Sequence, residues 1–284
     1  MPTKLGQNFL RDKVVLDRII QSANLSADDF VIEVGPGEGV LTKELARLAG
    51  KVIAVETDEE LTKRTATNLK FEILNLKSSL NYKILNFKNK TTIVIADILE
   101  INLPELLEQN NFTNYKVIAN IPYYITSPII RLFLEAKYPP TEMLLMVQRE
   151  VAERICAKAG KLSILALSVQ YYATPKLLFT VPKTAFDPIP EVDSAVIRIT
   201  RHEKPAYAEA SAGEARNKED VKRFFRIVKA GFSAKRKTLV NNLSTSLKLE
   251  KFLVEEKLKQ ISISPNQRAQ ELSLEDWKKL VELI

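Results

Sequence analysis

Phe30-Val31-Ile32-Glu33-Val34-Gly35-Pro36-Gly37-Glu38-Gly39 is the stretch on which the fold turns. A short apolar run enters three spaced glycines, and Val40, Leu41, Leu45 and Leu48 follow at helical spacing, so the stretch predicts strand, tight loop and helix. The same rhythm continues outward. Strands are expected over 51–55 closing on Glu56, over 92–96 closing on Asp97 and over 115–119 closing on Asn120, with a helix over 58–69. Alternation of this kind predicts an α/β fold, a Rossmann-like and mostly parallel sheet with helices on both faces. Each polar residue closing a strand stands at a carboxyl end, where open α/β sheets bind ligands.

Beyond residue 126 the pattern predicts helices over 127–136, 148–158 and 162–172, with Pro128 in the first turn of the first of them. Strands over 142–147, 176–181 and 195–199 follow, the last two as the antiparallel pair that often ends such sheets. Over 205–216 the composition shifts to Ala, Glu, Ser and Gly, which reads as a linker. Past it Val221, Phe224, Phe225, Val228, Leu239, Leu243, Leu258, Trp277 and Leu280 recur at helical intervals. The expected organisation is a sheet domain over 1–204, the linker, and a small all-helical domain over 217–284. The segment 75–90, rich in Asn, Lys and Ser, reads as a long excursion between sheet elements with no assigned role.

The net charge of +7 is unevenly placed. Residues 1–194 are balanced, whereas residues 195–284 hold 19 Lys and Arg against 12 Asp and Glu. Arg216, Lys218, Lys222, Arg223, Arg226, Lys229, Lys235, Arg236 and Lys237 face only Glu219 and Asp220 over that interval. A charge run is commonly a solvated helix face, but a local excess of this size is also what neutralising nucleic-acid phosphates requires. A single cysteine, Cys156, excludes an intramolecular disulfide, and a single histidine, His202, removes most zinc and histidine-based chemistry, so no metal is expected. Cys156 reads as a small buried residue of a helix and His202 as a surface residue at a strand end. No apolar run resembles a leader or a membrane span, and the expectation is a soluble, cytoplasmic protein.

Gly35, Gly37 and Gly39 let backbone pass close to a ligand, yet the spacing misses the dinucleotide pattern because position 40 is Val. Pro36 removes an N–H, and Glu33 and Glu38 flank the loop, which disfavours a pyrophosphate and suits a ligand with a cationic amino acid part, such as S-adenosylmethionine. Glu56 can accept from ribose hydroxyls and Asp97 from an adenine amine; both also read as ordinary helix caps. Asn120-Ile121-Pro122-Tyr123 is on its own a strand-to-loop turn. Downstream of such a loop it suits transfer to an amine. The Asn120 amide oxygen with a backbone carbonyl can accept both hydrogens of adenine N6, and Tyr123 can stack on the base.

Taken together these residues resemble the ribosomal RNA adenine N6,N6-dimethyltransferase family, most closely its bacterial small-subunit branch. The resemblance runs through Lys4-Leu5-Gly6-Gln7-Asn8-Phe9-Leu10, the glycine loop, Glu56, Asp97, the 120–123 box and Gln148-Arg149-Glu150-Val151-Ala152. It continues in Phe186-Asp187-Pro188-Ile189-Pro190-Glu191-Val192-Asp193-Ser194, Phe232-Ser233-Ala234-Lys235-Arg236-Lys237-Thr238-Leu239 and Asn241-Asn242-Leu243. It implies a class I methyltransferase sheet using S-adenosylmethionine, with Asn8 and Leu10 folded over the cofactor and Gly35, Gly37, Glu56, Asp97 and Asn120 completing its site. Asn120, Ile121, Pro122 and Tyr123 would hold the target adenine, with Phe186 pressing it from the other side. Arg223, in the basic run, and Lys235, Arg236 and Lys237 would contact RNA. The implied reaction is dimethylation of N6 on two adjacent adenosines near the 3′ end of 16S rRNA, in the immature small ribosomal subunit, by a monomeric enzyme with a part in subunit biogenesis. The alternatives are a 23S rRNA adenine N6-methyltransferase of the antibiotic-resistance type, a chiefly non-catalytic assembly factor and, more distantly, a small-molecule methyltransferase. The 75–90 segment is longer than the family commonly carries there.

Overall fold

Strand β1 (Phe9–Leu10) and helix α1 (Lys13–Ala23) precede β2 (Phe30–Val34), α2 (Val40–Leu48), β3 (Lys51–Glu56) and α3 (Glu59–Asn68). The chain continues through β4 (Ile73–Ser78), β5 (Lys83–Phe87), β6 (Thr91–Ile95), α4 (Leu103–Asn110), β7 (Lys116–Asn120), α5 (Thr126–Leu134), β8 (Glu142–Gln148), α6 (Arg149–Ile155) and α7 (Ile164–Gln170). It ends with β9 (Ala173–Val181), β10 (Phe186–Asp187), β11 (Ser194–Arg201) and helices α8 (Glu214–Gly231), α9 (Leu239–Leu247), α10 (Lys251–Gln260) and α11 (Leu274–Leu283). This computed structural model describes residues 8–68, 73–78, 83–87, 90–112, 114–202 and 214–284. The expected linker lies outside the described residues over 205–213, as do residues 4–7. Two compact units result: Met1–Ala152 with Lys176–Arg201, and Glu153–Pro175 with His202–Ile284.

The first unit is built on a sheet of order β4-β5-β6-β3-β2-β7-β8-β11-β9. β6, β3, β2, β7 and β8 run parallel, and β11 lies antiparallel to β8. Central strands covered on both faces need continuous apolar runs, and Val31, Ile32, Val52, Ile53, Ala54, Ile93, Val94, Val117, Ile118 and Leu145 are all buried. The 75–90 segment departs from the sequence expectation. β4 and β5 pair antiparallel and extend the sheet beyond β6, with Lys83 opposite Ile95 and Leu85 opposite Ile93. Leu85 packs on Ala54 and Ile93 and so anchors β5 to the sheet, within a segment that is rich in Asn, Lys and Ser.

The second unit encloses its own core, in which Phe224, Ile227, Val228, Leu239, Leu243, Leu258, Trp277 and Leu280 are buried. Its extent follows packing rather than the composition change near 205. The apolar side of α7, with Ala166, Leu167 and Tyr171, belongs to this core, and the Tyr171 and Phe224 rings lie 4.5 Å apart between centroids. Cys156 stands in the turn after α6, not inside a helix, and is half-buried. His202 follows β11 as expected; its Nε2 lies 3.1 Å from Thr174 Oγ1, and burial lowers its pKa. Among the described residues no helix is long and apolar enough to cross a membrane.

Gly50 sets the entry to β3. Its amide donates to Asp29 O at 2.9 Å, and a Cβ there would lie 2.2 Å from Ala27 O, a backbone atom that cannot rotate away. Gly50→Ala is expected to destabilise the protein by about 1–3 kcal/mol in urea unfolding, the ordinary range for overpacking.

Candidate functional site

Strand polarity brings the carboxyl ends of β2, β3, β6 and β7 to one edge of the first unit, around a cavity of about 420 Å³. Asn8, Leu10, Gly35, Gly37, Glu56, Asp97, Asn120, Ile121, Pro122, Tyr123 and Phe186 all line it. The loop after β2 turns through left-handed backbone at Gly35, Gly37 and Gly39, with φ of 67°, 59° and 82°. At Gly37 the space is also limited, because a Cβ would lie 3.3 Å from the Phe9 ring.

The acids differ in state. Glu56 Oε1 accepts from the amides of Thr57 and Asp58 at 2.9 and 3.1 Å, and Oε2 accepts from the Gly37 amide at 3.3 Å. Burial raises its pKa and these donors oppose the rise. Asp97 Oδ1 caps its own turn through the Leu99 amide at 2.9 Å, so the cap reading accounts for one of its oxygens. Glu33 is 1% exposed and, among the described residues, its Oε2 has no hydrogen-bond partner; burial pushes the carboxyl up to about 8, the Thr42 side chain opposes the rise, and Glu56 adds to it. Glu38, the other acid flanking the loop, is paired: the Arg11 guanidinium forks onto its carboxylate.

Asn120 is half-buried at the end of β7, and among the described residues its carboxamide makes no hydrogen bond. The Ile121 amide is held by Met146 O at 3.2 Å, and the Pro122 carbonyl starts a turn that closes at Ile125. The Tyr123 hydroxyl lies 2.8 Å from Oγ of Ser194, which is fully buried, so the residue ending the 186–194 box fixes the ring of the 120–123 box. Burial raises the Tyr123 pKa. Phe186 both lines the cavity and belongs to the core with Val15, Val181, Ala185 and Val196, at 3% exposure.

The basic residues belong to the second unit. Arg223 is exposed on α8; Lys235, Arg236 and Lys237 are exposed in the loop between α8 and α9, and no carboxylate pairs with these four among the described residues. Asn242, 2% exposed, shapes that loop: its Nδ2 donates to the carbonyls of Gly231 at 2.6 Å and Ala234 at 3.0 Å, and its Oδ1 accepts from Ser233 Oγ at 3.2 Å.

Comparison with known proteins agrees with this geometry. The family described as ribosomal RNA adenine dimethylase matches residues 1–284. The chain belongs to that family. A relative from Dehalococcoides mccartyi, named ribosomal RNA small subunit methyltransferase A, is 43% identical over 97% of this chain and 86% of its own length. One of the same name from Fusobacterium nucleatum is 41% identical over 99% of this chain and 96% of its own. Among solved structures, the 23S rRNA methyltransferase ErmE superposes with a TM-score of 0.72 at 27% identity, covering 97% of this chain and 98% of that one. As a family member the chain is an rRNA adenine dimethyltransferase that takes its methyl groups from S-adenosylmethionine. The cavity fits that cofactor: a glycine loop leaves room for backbone contact, and a buried acidic oxygen stands without a partner beside it.

Sequence reasoning missed Ser194 as the anchor of Tyr123, the pairing of Arg11 with Glu38, and Tyr124, which lines the cavity while 69% exposed.

Glu33 gives a testable pH dependence. Its folded pKa of about 8 exceeds the ordinary 4.5, so between these values the folded protein holds a proton that the unfolded chain releases. The stability this contributes is complete below about pH 4.5 and is lost as pH rises through 8. Relative to Glu33→Gln, the cofactor-free protein should lose on the order of a few kcal/mol between pH 5 and 8.5 in urea titrations. Parallel pH profiles for the two proteins would contradict a neutral, buried Glu33.

Proposed function

We propose that this enzyme transfers methyl groups to N6 of two adjacent adenosines near the 3′ end of 16S rRNA, acting as a cytoplasmic monomer on the immature small ribosomal subunit. The observation that carries the reading is the Asn120 carboxamide, without a hydrogen bond among the described residues, in the same cavity as Glu33, Glu56 and Asp97. The small-subunit names of the relatives at 43% and 41% identity support the choice of RNA. Neither the large-subunit alternative nor a chiefly non-catalytic assembly role is favoured, because the family is defined by the dimethylase reaction and ErmE stands further off at 27% identity.

In this reading Glu56 accepts from the ribose of the cofactor, the free oxygen of Asp97 accepts from its adenine amine, and Glu33 gives its proton up to face the cationic amino acid end. Asn8 and Leu10 cover the site. When bound, S-adenosylmethionine supplies a methyl group on a positively charged sulfur, open to displacement. Adenine N6 is a weak nucleophile because its lone pair is shared with the ring. Accepting its two hydrogens through Asn120 Oδ1 and the Ile121 carbonyl favours a more pyramidal nitrogen with the lone pair aimed at the methyl carbon. Tyr123, its ring fixed by Ser194, and Phe186 grip the base on either side. N6 loses its proton easily once methylated, so these residues act by alignment and charge stabilisation without a dedicated base. The target nucleotide must leave its stack to enter, which is easiest from a single-stranded or loop segment. Arg223, Lys235, Arg236 and Lys237 hold phosphates and thereby position the RNA.

Asn120→Ala is expected to abolish most methyl transfer to unmodified small subunits while leaving cofactor affinity within about tenfold, or 1.4 kcal/mol; near-normal turnover would refute the role of Asn120. Replacing Lys235, Arg236 and Lys237 together by Ala should reduce the slope of log affinity for RNA against log salt by roughly 2–3, the loss of three phosphate contacts. An unchanged slope in filter-binding titrations would remove these residues from the RNA interface.

A further inference from the structure

We propose that residues 9–11 form a strap that couples the cofactor site to the target-adenine site, so that each ligand tightens the other, with Arg11 as its positioning residue. This rests on the methyltransferase reading above and assigns the strap a task that the reaction itself does not require.

The strap touches both sides of the cavity. On the cofactor side, the Phe9 ring lies over Gly37, where even a Cβ would stand at 3.3 Å. On the base side, Phe9 pairs with Asp187 and Leu10 with Phe186 in the antiparallel β1–β10 ladder. The amides of Arg11 and Asp12 then both donate to Ala185 O, at 2.8 and 3.2 Å. One side chain joins the two sides. The Arg11 guanidinium forks onto Glu38 of the glycine loop, with Nη2 at 3.2 Å from Oε1 and Nη1 on Oε2. Its Nε lies 3.9 Å from Asp187 Oδ2, and its Cζ stands 5.7 Å from the Phe9 ring centre.

Without Arg11, the carboxylates of Glu38 and Asp187 would lose the cation they share, and the glycine loop would lose its charged link to the 186–187 strand. With it, a ligand that orders the glycine loop also orders the strand carrying Phe186, and the reverse. The ordering free energy of the strap then falls on whichever ligand binds first, and the second meets a strap already in place. Linkage makes this coupling equal in both directions. The fork needs a planar guanidinium, so lysine at position 11 would keep the charge but not the two-point contact.

The test is calorimetric titration of the full chain with S-adenosylhomocysteine, alone and with saturating unmodified small subunits. The wild type should bind the probe at least about threefold more tightly with subunits present, and in Arg11→Ala that ratio should fall to about one, with probe affinity alone weakened roughly three- to tenfold, the range expected for a partly exposed ion pair with a favourable fork. Glu38→Gln should show the same loss of coupling and Arg11→Lys an intermediate ratio, with melting temperatures in the absence of ligand close to wild type. A ratio of one in the wild type, or an unreduced ratio in Arg11→Ala and Glu38→Gln, overturns the proposal. A protein that neither binds the probe nor methylates subunits would instead sink the methyltransferase reading, and this inference with it.

Discussion

The Glu56 carboxylate is the constraint on which the site depends. It stands at the end of β3, draws the amides of Thr57 and Asp58 toward one oxygen, and holds the Gly37 amide with the other. One buried acid thus ties together the end of a central strand, the approach to α3 and the loop following the neighbouring strand. The Gly35 amide reaches β3 on its own, at 2.9 Å from Val55 O, and Glu56 adds the second tie, at Gly37. The backbone donors offset part of the desolvation that raises its pKa.

The remaining geometry extends this arrangement to the other side of the cavity. β7 lies next to β2 in the sheet, so Asn120 emerges at the same edge as the glycine loop. The bond between Tyr123 and Ser194 then joins the 120–123 turn to the start of β11. The proposed alignment of a flipped base would need this kind of construction, with contacting side chains carried on strand ends and held by residues behind them. The cavity and the basic loop fall in different units of the chain. The cavity is built by the sheet, and the exposed basic loop is built by the helical core and the Asn242 clamp.

Much of this was legible in the sequence because it depends on local periodicity. The apolar run 30–34 ending in glycines, and the polar residues closing β3 and β7, mark strand ends without reference to tertiary contacts. The pairing of β4 with β5 was not legible, because the surrounding 75–90 segment is rich in Asn, Lys and Ser, and the contact of Leu85 with Ala54 and Ile93 leaves no local trace. The allegiance of α7 was equally hidden: an amphipathic helix shows that it has a buried side, not which core receives it. Pairings distant in sequence, such as Arg11 with Glu38 and Tyr123 with Ser194, leave no periodic trace. Of the two acids that flank the glycine loop, Glu38 is paired with Arg11, while Glu33 Oε2 is buried with no hydrogen-bond partner among the described residues.

The most direct measurement is a crystal structure of the protein with S-adenosylhomocysteine soaked or co-crystallised. The account predicts the nucleoside sugar on Glu56, its purine edge on Asp97, the amino acid end toward Glu33, and the Asn120 carboxamide open to the side from which the methyl group has been lost. A ligand lodged outside this cavity, or an Asn120 carboxamide turned back into hydrogen bonds with the protein, would contradict it.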